Sequence, residues 1–244
     1  MIACMFAGCG SSADSMTVED GKLIMSTNAA FPPYEMVADD GSFMGIDVEI
    51  AGAIADKLGL ELVIDDMDFD AALLAVQQGK SDMVMAGVSV TNDRKKVMEF
   101  SNSYAKGIQV VIVKEGSDVT MDNLGDKMIG TQRGTTGYLY ASDTPANGGY
   151  GEDHVIAYDN GASAIKALQN GQVDCVIIDK APAQEFVKAN PGLKLLEGTW
   201  VEEEYAIGFD KGNTGLRDKV NQALKELTDD GTIQKIIDKY ITAE

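Results

Sequence analysis

The chain has 244 residues, of which 39 are acidic and 20 are basic, so its net charge is −19. This charge argues against nucleic acid or an anionic membrane as the main partner, because either would repel the protein. With 45% apolar and 24% charged residues, the composition is that of a folded globular protein of one large or two small domains. No run of about 18 apolar residues predicts a membrane span.

Residues 1–20 resemble the start of a bacterial lipoprotein. Phe6-Ala7-Gly8-Cys9 resembles a lipobox, in which the cysteine becomes the lipidated first residue. Leucine is usual where Phe6 stands, no basic residue precedes the motif, and the apolar stretch is shorter than the roughly 7–15 residues of a signal core. We interpret residues 1–20 as a truncated lipoprotein signal and tether, with Cys9 as the lipidation site; an accidentally apolar terminus is the alternative.

The sequence offers little material for metal, redox or histidine chemistry. Besides Cys4 and Cys9, the remaining cysteine is Cys175 in an apolar run, a position typical of a small core residue. The single histidine, His154, lies in a polar stretch. We therefore expect no disulfide framework, no metal site and no cofactor.

Apolar spacing predicts strands and helices in alternation through the first part of the chain. The predicted elements are a strand at Lys22–Thr27, a helix at Gly45–Leu58 ended by Gly59, a strand at Leu60–Ile64, a helix at Asp70–Gln78 ended by Gly79, and a buried strand at Asp82–Ala86. This alternation predicts a mostly parallel sheet with helices on its faces.

The second part continues the alternation and adds two connections. Thr91 suits the N-cap of a helix at Asn92–Phe100. The later predicted elements are strands at Lys106–Lys114, Met128–Thr131 and Tyr205–Phe209, and helices from Thr135, at Leu216–Leu227 and at Thr232–Tyr240. If the first and last of these strands cross between two lobes, the final helices belong to the first lobe. Two crossings form a hinge, and a hinge protein closes on its ligand in the cleft.

A repeat supports two similar halves. AVQQGKSDMVMAG (Ala75–Gly87) and ALQNGQVDCVIID (Ala167–Asp179) share alanine, glutamine, glycine, aspartate and valine at equivalent places, 92 residues apart. One explanation is that helix–strand units commonly reuse such residues, and the other is two similarly built α/β lobes. In the second case Gly87 and Asp179 lie at equivalent strand ends, where open α/β sheets bind their ligands.

The stretch GVSVTNDRKK (Gly87–Lys96) places polar residues directly after a buried strand. Ser89 and Thr91 face one side if the backbone stays extended. Arg94 lies in the first turn of the next helix, whose free N–H groups attract anions, and a guanidinium matches a carboxylate as a two-pronged pair. The local sequence leaves Arg94 equally interpretable as an anion clamp or as an ordinary surface residue.

Other candidate site residues also follow predicted strands. Phe31, held by Pro32-Pro33, and Phe69 can line a cleft, although core packing is the alternative for a single aromatic residue. GTQRGTTG (Gly130–Gly137) lacks the lysine and spacing of a phosphate loop but offers hydroxyl and N–H groups at a helix start. Asp179 ends an apolar strand, where a carboxylate needs a cationic partner or caps the next helix. Together these groups indicate a receptor for a zwitterion.

The pattern resembles the bacterial extracellular solute-binding proteins of family 3, the polar amino-acid receptors of ABC importers. The resemblance covers about Lys22–Tyr240 and rests on Phe31-Pro32-Pro33-Tyr34-Glu35, Gly45-Ile46-Asp47-Val48, Met67-Asp68-Phe69, Thr91-Asn92-Asp93-Arg94 with Phe100-Ser101, Gly134-Thr135-Thr136-Gly137, and Asp174–Asp179. It implies a two-lobed, type II periplasmic-binding-protein-like α/β fold with two hinge crossings. Residues 21–107 plus 208–244 are then lobe 1, and residues 108–207 are lobe 2.

The resemblance also implies which residues bind the ligand backbone. Arg94 grips the α-carboxylate, helped by Ser89 and by the backbone at Gly87. The loop of the second lobe adds carboxylate contacts, which fall to Thr135 and Gln132.

The remaining implied residues concern the ammonium group and the side chain. Asp179 takes the α-ammonium, and Phe31 and Phe69 flank the ligand side chain. Asn28 stands where many relatives that bind basic or amide side chains have aspartate, and the missing charge favours a neutral polar side chain over lysine. Arginine stays possible, because its guanidinium can bond to an amide oxygen and stack on an aromatic ring. Glutamine or another neutral polar amino acid is slightly preferred to arginine.

The function implied is capture of a polar L-amino acid by hinge closure and its delivery to the permease subunits of an ABC importer. We expect a monomer outside the cytoplasm, either a cell-membrane lipoprotein facing outside or a periplasmic protein, that meets the membrane only through its lipid anchor. One alternative is a dehydratase-like enzyme on the same fold, for which Asp179 and Glu35 are the candidate acid or base groups. A sensor or receptor-channel ligand domain is another.

Overall fold

The structure, a computed structural model, describes residues 16–241, and the predicted lipidation site Cys9 and the expected signal lie outside the described residues. The first elements of the described chain are β1 (Lys22–Thr27), β2 (Ala30–Phe31), β3 (Glu35–Val37), β4 (Phe43–Met44), α1 (Ile46–Leu58), β5 (Glu61–Asp66), α2 (Phe69–Gln77), β6 (Met83–Val84), α3 (Asn92–Val97), β7 (Met98–Phe100) and β8 (Ala105–Lys114). The later elements are β9 (Ile129–Gln132), α4 (Thr136–Ser142), β10 (Val155–Tyr158), α5 (Gly161–Gln169), β11 (Cys175–Asp179), α6 (Lys180–Ala189), β12 (Leu193–Leu195), β13 (Val201–Tyr205), β14 (Gly208–Asp210), α7 (Thr214–Asp229) and α8 (Thr232–Tyr240). Short 3-10 helices lie at Met121–Asp126, Pro145–Asn147 and Glu152–His154.

Local sequence explains where the predicted helices begin and end. In α1 the buried residues Ile46, Ile50 and Ile54 recur at every fourth position and form one apolar face. The helix ends at Gly59, which has a φ of 69° and so adopts the left-handed conformation that glycine favours. The observed bounds of β1 and α8 are those predicted from the sequence.

The first sheet has the strand order β5-β1-β6-β14-β7. β1 is parallel to β5 and β6, whereas β14 is antiparallel to β6 and β7 and therefore runs against its neighbours. Successive residues from β6 onward face opposite sides of the sheet. Met83 and Met85 join the core beneath α1, α7 and α8, while Val84 and Ala86 pack with Phe69 of α2.

The second sheet has the order β10-β9-β11-β8-β12, and β13 also pairs with β8. β9 is parallel to β10 and β11, and β8 is antiparallel to β11, β12 and β13. Val111 of β8 packs with the fully buried Cys175 on one face, and Ile112 packs on the other face. The predicted α/β architecture with helices on the faces of the sheets is confirmed, and Cys175 lies in the core as expected. The sheets are mixed rather than mostly parallel, because β8 and β14 run antiparallel to their neighbours.

Two short connections join the sheets, and each sheet with its flanking helices is called a lobe below. The chain passes from β7 to β8 and returns from β13 to β14. The Ser101 N–H donates to the Ile207 carbonyl at 2.9 Å, and the Tyr104 N–H donates to the Tyr205 carbonyl at 3.0 Å. Because the connections are short and bonded to each other, the lobes meet along one line, which is the geometry of a hinge.

Three predicted elements near these connections need correction. The helix predicted at Asn92–Phe100 ends at Val97, because the next three residues pair with β14. The strand predicted at Tyr205–Phe209 is split between β13 and β14, which pair in different sheets. The predicted crossing strand Lys106–Lys114 lies wholly within the second sheet as part of β8. In each case pairing with strands distant in sequence overrides the local pattern.

The sequence repeat corresponds to the same structural device in both lobes. Asp82 precedes β6, and its Oδ2 accepts a hydrogen bond from the Ile24 N–H of the neighbouring strand β1 at 2.6 Å. Asp174 precedes β11, and its Oδ2 accepts from the Met128 N–H, just before the neighbouring strand β9, at 2.8 Å. Both aspartates therefore hold the start of the adjacent parallel strand. This shared geometry favours two similarly built lobes over chance reuse of residues.

Candidate functional site

A cavity lies between the two lobes, at the carboxyl ends of β1, β6, β9 and β11. The empty space among its walls, counting the part open to solvent, is about 330 Å³. Both lobes contribute to the lining, which consists of Asn28, Phe31, Glu35, Phe69, Ala86, Gly87, Ser89, Arg94, Gln132, Thr135, Thr136 and Asp179. Its position agrees with the rule that open α/β sheets bind ligands outside the carboxyl ends of their strands.

Two aromatic rings form apolar walls of the cavity. Phe31 lies in β2 of a small sheet, β2-β3-β4, and Phe69 begins α2. Gly87 has a φ of 55°, and a Cβ atom there would lie 2.9 Å from Cε1 of Phe31. A side chain at this position would strain the backbone and collide with the ring, so glycine is required. Both phenylalanines belong to the core clusters and also line the cavity.

Arg94 is held rigidly at the first-lobe edge of the cavity. Thr91 caps α3 by accepting from the Arg94 N–H at 3.1 Å. The guanidinium donates to the Ser89 carbonyl at 2.7 Å and to the Gly134 carbonyl of the second lobe at 3.0 Å, and it lies 5.4 Å from the centre of the Phe69 ring. Arg94 is 8% exposed, which excludes the interpretation as an ordinary surface residue. Burial lowers its pKa, but a guanidinium stays charged at any physiological pH.

The second-lobe loop presents its two threonines differently. Thr135 caps α4, since its Oγ1 accepts from the Tyr138 N–H at 3.4 Å, and it donates its proton to the Gln132 carbonyl at 2.7 Å. Thr136 donates to Glu203 at 2.8 Å. The hydroxyl proton of Thr135 is therefore used within its own loop. Thr136, which the sequence interpretation did not single out, directs its hydroxyl to a group on another strand.

A pair of amides joins the lobes across the cavity. Gln132 Nε2 donates to Asn28 Oδ1 at 3.0 Å, while Asn28 Nδ2 donates to the Met67 carbonyl at 2.9 Å. The carbonyl oxygen of Asn28 is therefore the atom of that amide directed at the second lobe. This oxygen is a hydrogen-bond acceptor at the position where, by the family resemblance, many relatives have an aspartate carboxylate.

Asp179 is a buried carboxylate at the end of β11. Its Oδ2 accepts from Gln109 Nε2 at 2.8 Å, and its Oδ1 accepts from the Tyr205 hydroxyl. The residue occupies the N-cap position of α6, yet its side chain makes no capping hydrogen bond. Burial raises the pKa of Asp179 to about 7, although these hydrogen bonds favour the charged form. Burial removes water from this carboxylate, and a cationic ligand group would stabilise its charged form.

Glu35 and Asp47 form a second buried acidic pair in the first lobe. Both are 0% exposed. Asp47 Oδ2 accepts from the Gly87 N–H at 3.0 Å and from the Tyr104 hydroxyl at 2.8 Å. Neither carboxyl oxygen of Glu35 has a hydrogen-bond donor among the described residues. Burial, reinforced by the charge of Asp47, raises the pKa of Glu35 well above its ordinary value, and burial raises the pKa of Asp47 to about 6. Since two adjacent buried carboxyl groups cannot both ionise cheaply, Glu35 keeps its proton.

Glu203 contributes a further carboxylate from β13. Its Oε2 accepts from Ser89 Oγ at 3.0 Å, from Thr136 Oγ1 at 2.8 Å and from Gln109 Nε2 at 3.1 Å. The run of three glutamates in VEEEY is typical of an exposed segment, so the sequence interpretation missed this strand and this residue. Strand alternation explains it, because Glu203 faces inward between the exposed Glu202 and Glu204.

The structure brings the predicted site residues together. All nine expected ligand-binding residues line the one cavity: Asn28, Phe31, Phe69, Gly87, Ser89, Arg94, Gln132, Thr135 and Asp179. Their individual contacts with a ligand stay predictions. From the sequence, Glu35 is expected only as an enzyme acid or base, and Thr136, Gln109 and Glu203 are not predicted as site residues. Of these three residues, only Thr136 had a signal in the sequence, since it is the second threonine of the loop.

Two features of other functional classes are missing from the described part of the chain. Among residues 16–241 there is no group of three or more histidine, cysteine, aspartate or glutamate side chains that could hold a metal ion. None of the helices within that range is long and apolar enough to cross a membrane.

Comparisons with known proteins agree on one family. Residues 23–243 match the bacterial extracellular solute-binding proteins, family 3. The arginine-binding extracellular protein ArtP of Bacillus subtilis is 32% identical over 97% of this chain and 92% of its own length. The arginine-, lysine-, histidine-binding protein ArtJ of Geobacillus stearothermophilus superimposes with a TM-score of 0.84 at 33% identity, over 91% of this chain and 96% of its own. An ancestral arginine-binding protein bound to glutamine gives 0.84 at 37% identity, over 92% of this chain and all of its own.

These relatives confirm the two-lobed fold that the sequence predicts. The family and its members here are binding proteins rather than enzymes, so the dehydratase-like alternative has no support. With the match extending over nearly the whole sequence, the chain belongs to the bacterial extracellular solute-binding proteins of family 3.

Proposed function

We propose that this protein captures an L-amino acid between its lobes and delivers it to an ABC importer, and that arginine is the preferred ligand. Arginine is preferred because of Glu35. Its carboxyl group lines the cavity, is fully buried and has no hydrogen-bond donor among the described residues. A buried carboxyl group of this kind favours a ligand that brings its own positive charge and N–H donors.

The ligand backbone is recognised by groups of opposite charge. Arg94 supplies a guanidinium that is already oriented by two carbonyls, so it needs little ordering to bind a carboxylate. Asp179 supplies the counter-charge for the α-ammonium. Because burial raises the pKa of Asp179 to about 7, binding of an ammonium group is coupled to loss of a proton.

The ligand side chain lies between aromatic walls and polar ends. Phe31 and Phe69 can stack on a guanidinium, and the Asn28 carbonyl oxygen can accept one of its N–H groups. With Glu35 added, the acceptors of this region suit a guanidinium better than a neutral amide. The slight preference for glutamine, drawn from Asn28 in the sequence, therefore gives way to arginine, and glutamine is the second candidate.

Closure of the two lobes is the conformational step of this proposal. We assign residues 21–107 plus 208–244 to lobe 1 and residues 108–207 to lobe 2. The bonds from Gln132 to Asn28 and from Arg94 to Gly134 cross between the lobes, so both are made only when the cleft is closed. A ligand that contacts both lobes shifts the hinge equilibrium toward this arrangement.

The partner and location of this proposal follow from the family. The closed protein docks as a monomer on the permease subunits of an importer outside the cytoplasm. Cys9 is proposed as the lipid-anchored residue, because Phe6-Ala7-Gly8-Cys9 resembles a lipobox. Mass spectrometry of the protein expressed in a bacterial host would find a diacylglycerol adduct on Cys9; an unmodified cysteine in that host contradicts the anchor.

Isothermal titration of the purified protein with each of the twenty amino acids tests the function. We expect one-site binding of arginine near micromolar Kd, about −8 kcal/mol, with glutamine weaker. Absence of heat and of any thermal shift with all twenty would overturn the receptor function. Tighter binding of glutamine than of arginine would retain the receptor and reject arginine.

A further inference from the structure

We propose that Glu203 competes with the ligand's α-carboxylate for the same hydroxyl donors and so limits the affinity of carboxylate-bearing ligands. This inference deepens the proposed function and rests on it, because it takes an amino acid as the ligand. Glu203 is then a specificity-determining residue, and it is not among the ligand-binding residues predicted from the sequence.

Three donors from both lobes converge on one oxygen of Glu203. Ser89 lies after β6 in the first lobe, while Thr136 begins α4 and Gln109 lies in β8 of the second lobe. Their distances to Oε2 are 3.0, 2.8 and 3.1 Å. The other oxygen, Oε1, is buried and has no hydrogen-bond partner among the described residues. The side chain is thus held at an anion site that two residues of the cavity lining, Ser89 and Thr136, form together with Gln109.

The same site is the expected position of the ligand carboxylate. Ser89 and Thr136 both line the cavity, and Arg94 lies against the Ser89 carbonyl. Among the carboxylates around Arg94, the charge of Glu203 acts on its guanidinium most strongly. Glu203 therefore interacts with the same cation and the same hydroxyls that a bound α-carboxylate requires.

Glu203 and the ligand carboxylate compete because each hydroxyl has only one proton to donate. A serine or threonine hydroxyl carries one proton and can donate one hydrogen bond. While Ser89 and Thr136 donate to Glu203, neither can donate to the ligand. An arriving α-carboxylate has to replace Glu203 at these hydroxyls, and the two like charges repel each other while both are close. A ligand without a carboxylate does not require this exchange.

The test compares L-arginine with L-argininamide, which keeps the guanidinium and the α-ammonium but has a neutral amide in place of the carboxylate. Titration calorimetry gives Kd for both ligands with the wild type, Glu203→Gln and Glu202→Gln. Glu202 is the matched control, because it is the exposed neighbour on the opposite side of β13 and loses the same charge. Thermal melts verify that each variant is folded.

We expect Glu203→Gln to bind arginine about tenfold more tightly, the size of one hydrogen bond to a charged group. Argininamide should bind equally or more weakly, since it loses a negative neighbour and gains no donors. Glu202→Gln should leave both constants within about twofold. Unchanged or weaker arginine binding by Glu203→Gln overturns this inference alone, as does equal tightening for argininamide. Absence of amino-acid binding by the wild type overturns the proposed function and this inference with it.

Discussion

Replacing Glu35 with glutamine separates recognition of a cationic side chain from recognition of the rest of the ligand. The substitution removes the ability of the side chain to become negatively charged and keeps its shape. Glu35 is neutral beside Asp47 only while it carries a proton, whereas a glutamine amide is neutral at any pH. We therefore expect the variant to fold with a stability equal to or above that of the wild type, because no buried carboxyl group has to be kept neutral.

The size of the expected effect follows from the charges involved. A hydrogen bond between charged groups contributes about 1.5–3 kcal/mol, which is roughly 10- to 150-fold in Kd. The raised pKa of Glu35 offsets part of this, because the carboxyl group has to lose its proton before it pairs with a guanidinium. Near neutral pH we expect arginine to bind Glu35→Gln about tenfold more weakly than the wild type.

Calorimetric titration of arginine and glutamine measures this effect against internal standards. Glutamine carries no charge on its side chain, so its Kd should change less than about threefold. Glu61→Gln is the control variant, since Glu61 is exposed at the start of β5 and receives the same substitution. If Glu35→Gln binds arginine as tightly as the wild type, Glu35 does not contact the ligand cation. If both ligands weaken alike, Glu35 shapes the site without selecting the side chain.

Three further predictions address binding and stability. Arg94→Ala should weaken binding by about 3 kcal/mol, more than a hundredfold in Kd, while the circular dichroism spectrum stays that of a folded protein; unchanged affinity would remove Arg94 from the site. Below pH about 7 the free protein holds a proton on Asp179, and an ammonium ligand displaces it. The affinity should therefore fall up to tenfold per pH unit as the pH drops from 7 to 5. A calorimetric Kd that does not change with pH contradicts this coupling. Asp82→Ala leaves the N–H groups of Val18 and Ile24 without their carboxylate and should lower the free energy of unfolding by about 2 kcal/mol, measured by urea denaturation; an unchanged midpoint would show that this bond contributes nothing.

Local patterns in the sequence predicted most helices and strands, because their causes lie within a few residues. The four-residue spacing of Ile46, Ile50 and Ile54 specifies α1, and Gly59 ends it. Prediction failed where pairing partners are distant. Met98–Phe100 continued the pattern of a helix, but β14 pairs with it from more than 100 residues further along the chain. No local signal marks the point between Tyr205 and Gly208 at which the chain changes sheets.

The predicted site residues shared a local signal as well. Arg94 follows an N-cap, Asp179 ends an apolar strand, and Gly87 ends the equivalent strand of the repeat, so each could be found from its own neighbourhood. The family resemblance then assigned them roles. Residues whose place depends on another part of the chain had no such signal. Glu203 sits among glutamates that look alike in sequence, and the pleat of β13 alone distinguishes it.

By itself the sequence determined the α/β class and the two-lobed family, and it predicted the residues that line the cavity at strand and helix ends, because periodicity, caps and motifs act over short distances. Only the tertiary structure decided which charges face one another inside the cleft. The contact between Ser89 and Glu203 spans 114 positions of the chain, and the burial that leaves Glu35 without a donor arises from packing of several elements. Hydrogen-bond partners and desolvation depend on what surrounds a group in space, and that environment is created only when both lobes are assembled.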